Sequence, residues 1–175
     1  RSYVERCITY AIKQDIALYT LHTNLDNVAQ GVNRQIAQTL GLNNLSILLP
    51  KPGTLSQLTT FIPHASIDPV LQALHAAGAG RIGDYTHCNF VTAGIGSFRP
   101  NSTANPSVGT AGQSEKVEEA RIEVIFPSQL ETPVLRALQA AHPYEEVAYY
   151  IHKLKNTDAR VGAGMVGTLP QALSS

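Results

Sequence analysis

Cysteine is scarce in this chain and neither sign of charge dominates it. The two cysteines, Cys7 and Cys88, form neither a C-x-x-C pair nor a dense framework, so two reduced thiols are expected. Thirteen Lys and Arg balance thirteen Asp and Glu. That removes the clustered positive excess a phosphate backbone requires, and no nucleic-acid partner is expected. Charged residues reach only 15%, against 43% hydrophobic, over 175 residues, a globular composition rather than a disordered one. No apolar run approaches the roughly 18 residues that cross a bilayer, and no basic-then-apolar leader opens the sequence. A cytoplasmic chain without a membrane partner, built as one domain or two small ones, is the expectation.

The first fifty residues read as helix, strand, loop and helix. Val4, Cys7, Ile8, Ala11 and Ile12 recur at helical spacing, so Arg1 is expected to lie within a helix. Ile16 to Leu21 forms a nearly unbroken apolar run, which predicts a strand buried on both faces between helices. The polar cluster His22-Thr-Asn-Leu-Asp26-Asn27 follows. Val28, Val32, Ile36 and Leu40 then mark a helix closed by Gly41. The cluster therefore falls where a strand hands over to a helix, the crevice in which α/β sheets bind ligands. Two prolines and a glycine within Leu48 to Gly53 mark a domain boundary.

An internal repeat fills the middle of the chain. Residues 61–77, FIPHASIDPVLQALHAA, align without a gap on residues 125–141, IFPSQLETPVLRALQAA, with eight of seventeen positions identical. Each copy reads as a strand end, a proline turn and a helix with proline in its first turn, where no N–H donor is needed. A strand is expected after each helix, over His87 to Ala93 continuing to Phe98, and over Glu146 to His152. With Val117 to Phe126 opening the second half, the order is that of the ferredoxin-like split βαβ arrangement. The connection from Arg99 to Ser114, rich in Gly, Ser, Asn and Thr, is long enough to carry function.

Three clusters carry chemistry. His22 and Asp26, spaced H-x-x-x-D, offer imidazole and carboxylate to a borderline divalent metal, but two ligands make no site on their own. The competing reading is a hydrogen-bonded histidine and an aspartate capping the helix after Asn27. His87 beside Cys88 suggests a metal pair or an activated thiol. Adjacent strand residues point to opposite faces, however, which favours a structural thiol and a surface histidine. His142-Pro-Tyr-Glu-Glu146 is explained mainly by a helix end and a proline-forced extended entry, while Glu145 and Glu146 leave a ligand-binding role open. Gly78 and Gly80 close a helix rather than open one, so a dinucleotide fingerprint is not supported. Gly109 to Gln113 lacks the ending of a P-loop.

The segment Ala11 to Asp26, with Gly31-Val-Asn33 and Leu40-Gly-Leu42, closely resembles the NIF-three-like family of dinuclear-metal-centre hexameric proteins. Members often carry the name GTP cyclohydrolase I type 2 homologue. Gly80 to Phe90, Gly94 to Phe98 with Asn105-Pro106 and Gly109, and His142 to Val147 resemble the domain inserted in longer members. That insertion is similar to CutA and PII-like ferredoxin folds. The implied fold is an α/β part of a metal-binding lobe plus an inserted α+β ferredoxin-like domain. The implied boundaries are residues 1–52 for the end of the first lobe, 53–157 for the insertion, and 158–175 for the start of a second lobe resuming near Gly164-Met-Val-Gly167.

The resemblance also implies a site. The family holds two divalent ions, zinc, iron or manganese, with two upstream histidines, the aspartate of the HTNLD-type motif, and a later H-x-x-x-E pair. Of these only the aspartate falls in this sequence, as Asp26, with His22 beside it as a further ligand or a partner fixing its geometry. The other ligands are expected before Arg1 and after Ser175, so the chain reads as an internal fragment, not active alone. Metal-dependent hydrolysis of a nucleotide or phosphate-containing small molecule is the implied chemistry. The alternative is a sensing or interaction protein, using the insertion to bind an effector or to make contacts within a homo-oligomer, a hexamer by resemblance.

Overall fold

The computed structural model describes residues 2–172 and divides into two compact units, one of residues up to Leu49 with those from Ala159 onward, the other Pro50–Asp158. The expectation for Arg1, and the last three positions up to Ser175, lie outside the described residues.

In the first unit, α1 spans Tyr3–Lys13 and starts at a capping box. The Ser2 hydroxyl accepts from the Glu5 amide and the Glu5 carboxylate accepts from the Ser2 amide, so two orphan N–H groups are satisfied. Helix α2 spans Val32–Thr39, strand β1 Asn43–Pro50 and strand β6 Gly162–Thr168, the two strands pairing in a two-stranded sheet. The helix closed at Gly41 is present but begins at Val32, Val28 being extended before it, and Gly41 takes the left-handed φ of 73° that favours glycine there. The strand expected over Ile16–Leu21 is not formed. That segment has no regular structure and is exposed, with Leu18 and Tyr19 open to solvent. An apolar run becomes a strand only against a partner ladder, and none of the described residues supplies one.

The second unit contains β2 Leu55–Pro63, α3 Ile67–Ala76, β3 Phe90–Phe98, β4 Glu115–Pro127, α4 Glu131–Ala141 and β5 Tyr149–Lys153. Its sheet runs β3-β4-β2-β5, every neighbour antiparallel. That order, with a helix after the first and third strands, is the ferredoxin-like topology. The repeat is visible in it: Pro63 and Pro127 each end a strand, a 3₁₀ turn follows, and Pro69 and Pro133 fall in the first turns of α3 and α4.

Strand alternation sorts the faces. Leu58 and Ile62 of β2 and Ile122, Val124 and Phe126 of β4 point at the helices and pack fully buried against Val70 and Leu74 of α3 and Val134 and Leu138 of α4. Each such side chain contributes roughly 1.5–3 kcal/mol by leaving water. Two hydroxyls share this face and are paired, Ser56 Oγ with Ser128 Oγ at 2.8 Å and Thr60 Oγ1 donating to the Ala148 carbonyl at 2.9 Å. Within this unit, neither α3 nor α4 covers the opposite face. The unit's ends are tied together, since the Asp158 amide donates to Thr54 Oγ1 at 2.8 Å and the Leu154 amide to the Leu55 carbonyl at 3.0 Å.

Two strand boundaries differ from expectation. Strand β5 begins at Tyr149 rather than Glu146, and β3 begins at Phe90 rather than His87. His87 adopts a positive φ of 60° before the strand, so strand alternation says nothing about its relation to Cys88. Its ring packs edge-on to His75, centroids 4.7 Å apart. Gly78 and Gly80 do close α3: both have positive φ, and the Gly80 amide donates to the Ile125 carbonyl at 2.7 Å. Both cysteines are free thiols.

Candidate functional site

Asp26 lies in a single 3₁₀ turn, Leu25–Asn27, between the unpaired Ile16–Leu21 segment and α2. Four contacts hold the turn. Asn33 Nδ2 donates to the Asp26 carbonyl at 2.8 Å, and Asn27 Nδ2 to the Thr23 carbonyl at 2.8 Å. The Ala29 amide donates to the Arg160 carbonyl at 2.8 Å, and Val28 bridges to Val161, so the chain just before β6 fastens this turn. Gly31 packs directly on the Leu25 carbonyl, where a Cβ would collide with backbone. Asp26 does not cap α2, because Gly31 occupies the N-cap position. Its half-buried carboxylate has no hydrogen-bond or ion-pair partner among the described residues, and His22, four residues earlier, is exposed and equally unpartnered.

A carboxylate and an imidazole on one short loop are suitable donors for a borderline divalent ion. They do not make a complete site. No group of three or more His, Cys, Asp or Glu side chains able to hold a metal is present among the described residues, and a tight site takes three or four protein ligands. His87 and Cys88 therefore form no metal cluster either.

The second polar concentration lies on the face of the ferredoxin-like sheet away from α3 and α4. A cavity of about 620 Å³ is floored by β3 and walled by the 99–108 loop and the residues before β5. The sequence had marked both walls separately, and the structure joins them: Glu145 Oε1 accepts from the Asn105 amide at 2.9 Å, and Ser107 Oγ donates to the Pro143 carbonyl at 3.3 Å. The loop is further tied by Arg99, whose Nε donates to the Gly112 carbonyl at 2.7 Å. His142 is buried and structural. The Tyr144 amide donates to its Nδ1 at 3.1 Å, which leaves Nε2 to donate to the Phe61 carbonyl at 2.9 Å.

Glu119 of β4 was not anticipated from sequence. It is only 8% exposed, and its Oε1 accepts the Tyr144 hydroxyl at 2.8 Å. Burial, then the hydrogen bond and charge of Glu119, push the Tyr144 phenol up to about 12. Space for the carboxylate comes from Gly96 on the neighbouring strand, where a Cβ would collide with Oε2. An acidic residue facing a glycine-interrupted strand is the signal that marks it, but only once the register of β3 on β4 is known.

An α+β ferredoxin-like unit joined to a helix-and-strand segment that presents a lone carboxylate turn is the class of protein these features define. The chain belongs to the Duf34/NIF3 (NGG1p interacting factor 3) family, whose sequence profile matches residues 1–175. It is 43% identical over 170 residues to the GTP cyclohydrolase 1 type 2 homolog of Bacillus subtilis, covering 97% of this chain and 46% of that protein. A Bacillus cereus protein related to NIF3, of known crystal structure, is 40% identical with a TM-score of 0.79, over 97% of this chain and 45% of its own. A Staphylococcus aureus crystal structure matches with a TM-score of 0.53 at 24% identity over 97% of this chain and 42% of its own, a likeness of fold. The chain thus spans just under half the length of these relatives. Among the described residues no helix is long and apolar enough to cross a membrane.

Proposed function

We propose that Asp26 is one ligand of a divalent-metal site completed by residues outside this sequence, in a protein that hydrolyses a nucleotide or another phosphate-containing small molecule. The observation that carries the reading is the Asp26 carboxylate itself. It is half-buried, held on a turn fixed at both ends, and without a hydrogen-bond or ion-pair partner among the described residues. Such a group costs free energy unless a cation or solvent satisfies it. His22 is the further ligand, or the group that orients one. The name borne by the Bacillus subtilis relative agrees with a nucleotide-like substrate without specifying the reaction. Two zinc, iron or manganese ions per chain and a homo-hexamer complete the proposal by family resemblance, with a cytoplasmic location proposed from the sequence. The test is turnover by the full-length protein of a panel of nucleotides and phosphate esters with Mn²⁺, Zn²⁺ or Fe²⁺, expected to be lost in Asp26→Asn.

A second reading has its own observation in its favour. The cavity on the sheet face away from α3 and α4, walled by the 99–108 loop and containing the buried Glu119, supports a sensing role in which the ferredoxin-like unit binds an effector. Correct folding and assembly with no hydrolysis across the panel would favour it.

A further inference from the structure

We propose that the cavity of the ferredoxin-like unit binds a small organic cation, an amine or amidine on an apolar or aromatic body, with its charged nitrogen at Glu119 Oε2. The proposal rests on the effector-binding reading and adds the chemical class of the ligand.

The carboxylate supplies the first argument. The Tyr144 hydroxyl donates to Glu119 Oε1 at 2.8 Å. It occupies Oε1 alone. Oε2 has no hydrogen-bond partner among the described residues, although the residue is more than nine-tenths buried, and it faces the cavity over Gly96. A carboxyl group with one oxygen paired and the other open to a cavity offers an acceptor to a donor entering that cavity, preferably a charged one.

The remaining charges agree in sign. Three carboxylates line the cavity, Glu119, Glu145 and Glu146, against two guanidinium groups. Arg121 is already paired with Glu123 at 2.6 Å, and Arg99 is engaged with the Gly112 carbonyl. The charge left over is negative, which disfavours phosphates and carboxylates as occupants. The aromatic groups fit the same ligand. Tyr150 and Phe61 meet edge to face with centroids 5.7 Å apart on this face, and their rings attract a cation as well as an apolar body. The volume of about 620 Å³ is that of a metabolite-sized site.

The test is binding of benzamidine to the full-length protein by calorimetry, with neutral benzamide and anionic benzoate as matched probes. Benzamidine is expected to bind at least about tenfold more tightly than either. Glu119→Gln preserves shape and the Tyr144 hydrogen bond, and should remove that preference. Tyr150→Ala, away from the Glu119–Tyr144 bond, should weaken benzamidine two- to fivefold, and carries the test if Glu119→Gln fails to fold. Benzoate or benzamide binding as well as benzamidine, unaffected by Glu119→Gln, overturns the cation and leaves effector binding standing. No binding by any of the three overturns both.

Discussion

The Tyr144 hydroxyl donates to Glu119 at 2.8 Å, linking β4 to the turn that enters β5. This contact fastens one wall of the cavity to the sheet beneath it.

Alkaline titration should isolate that bond. Tyr144 is pushed up to about 12 while an unfolded tyrosine titrates near 10. A folded-state value above the unfolded one means the stabilisation is complete below pH 10 and is lost as pH rises through 10 toward 12. Tyr144 should ionise late by absorbance, and Tyr144→Phe should remove that late component. The wild type should also lose its stability advantage over Tyr144→Phe between pH 10 and 12.

Gly96→Ala introduces a Cβ that collides with Glu119 Oε2. The obstacle is the end of a flexible side chain, so the fold should survive while the carboxylate is displaced from Tyr144. A loss of about 1–2 kcal/mol in urea unfolding is expected, together with loss of the late tyrosine titration. Retention of both would place Glu119 elsewhere.

Much of the ferredoxin-like unit was legible because its determinants are local. Pro63 and Pro127, Pro69 and Pro133, and the Val70/Val134 and Leu74/Leu138 stripes repeat in sequence the same strand, turn and helix. Ile16–Leu21 was misleading because a strand depends on neighbours that a local pattern does not contain. His87 was assigned to a strand it precedes, since a positive φ at one histidine leaves no periodic trace. Glu119 was invisible for a related reason: its role depends on Gly96 across the β3–β4 ladder and on Tyr144, 25 residues away. Asp26 stands out in the sequence as a polar group after an apolar run, but its fastening by Arg160 and Val161 arises from long-range contacts.

The helix-facing core should behave as a packed interior. Leu74 is fully buried between α3 and the sheet, and Leu74→Ala is expected to cost about 2–5 kcal/mol through lost transfer energy and the cavity left behind. Chemical denaturation of the full-length protein checks it.

Gly31→Ala tests how the Asp26 turn is held. A Cβ there meets the Leu25 carbonyl, a backbone atom that has no rotamer to escape into. The turn should shift, exposing the Ala29 amide bonded to Arg160, and hydrogen exchange at Ala29 should accelerate relative to α1. Unchanged protection would show that the turn is fixed by its other contacts alone.

The central claim is that Asp26 ligates metal, and elemental analysis of the full-length protein tests it most directly. About two divalent transition-metal ions per chain are expected, falling sharply in Asp26→Asn while the ferredoxin-like unit stays folded. Absence of bound metal, or metal content unchanged by Asp26→Asn, would contradict the account and leave the sheet-face cavity as the functional site of the chain.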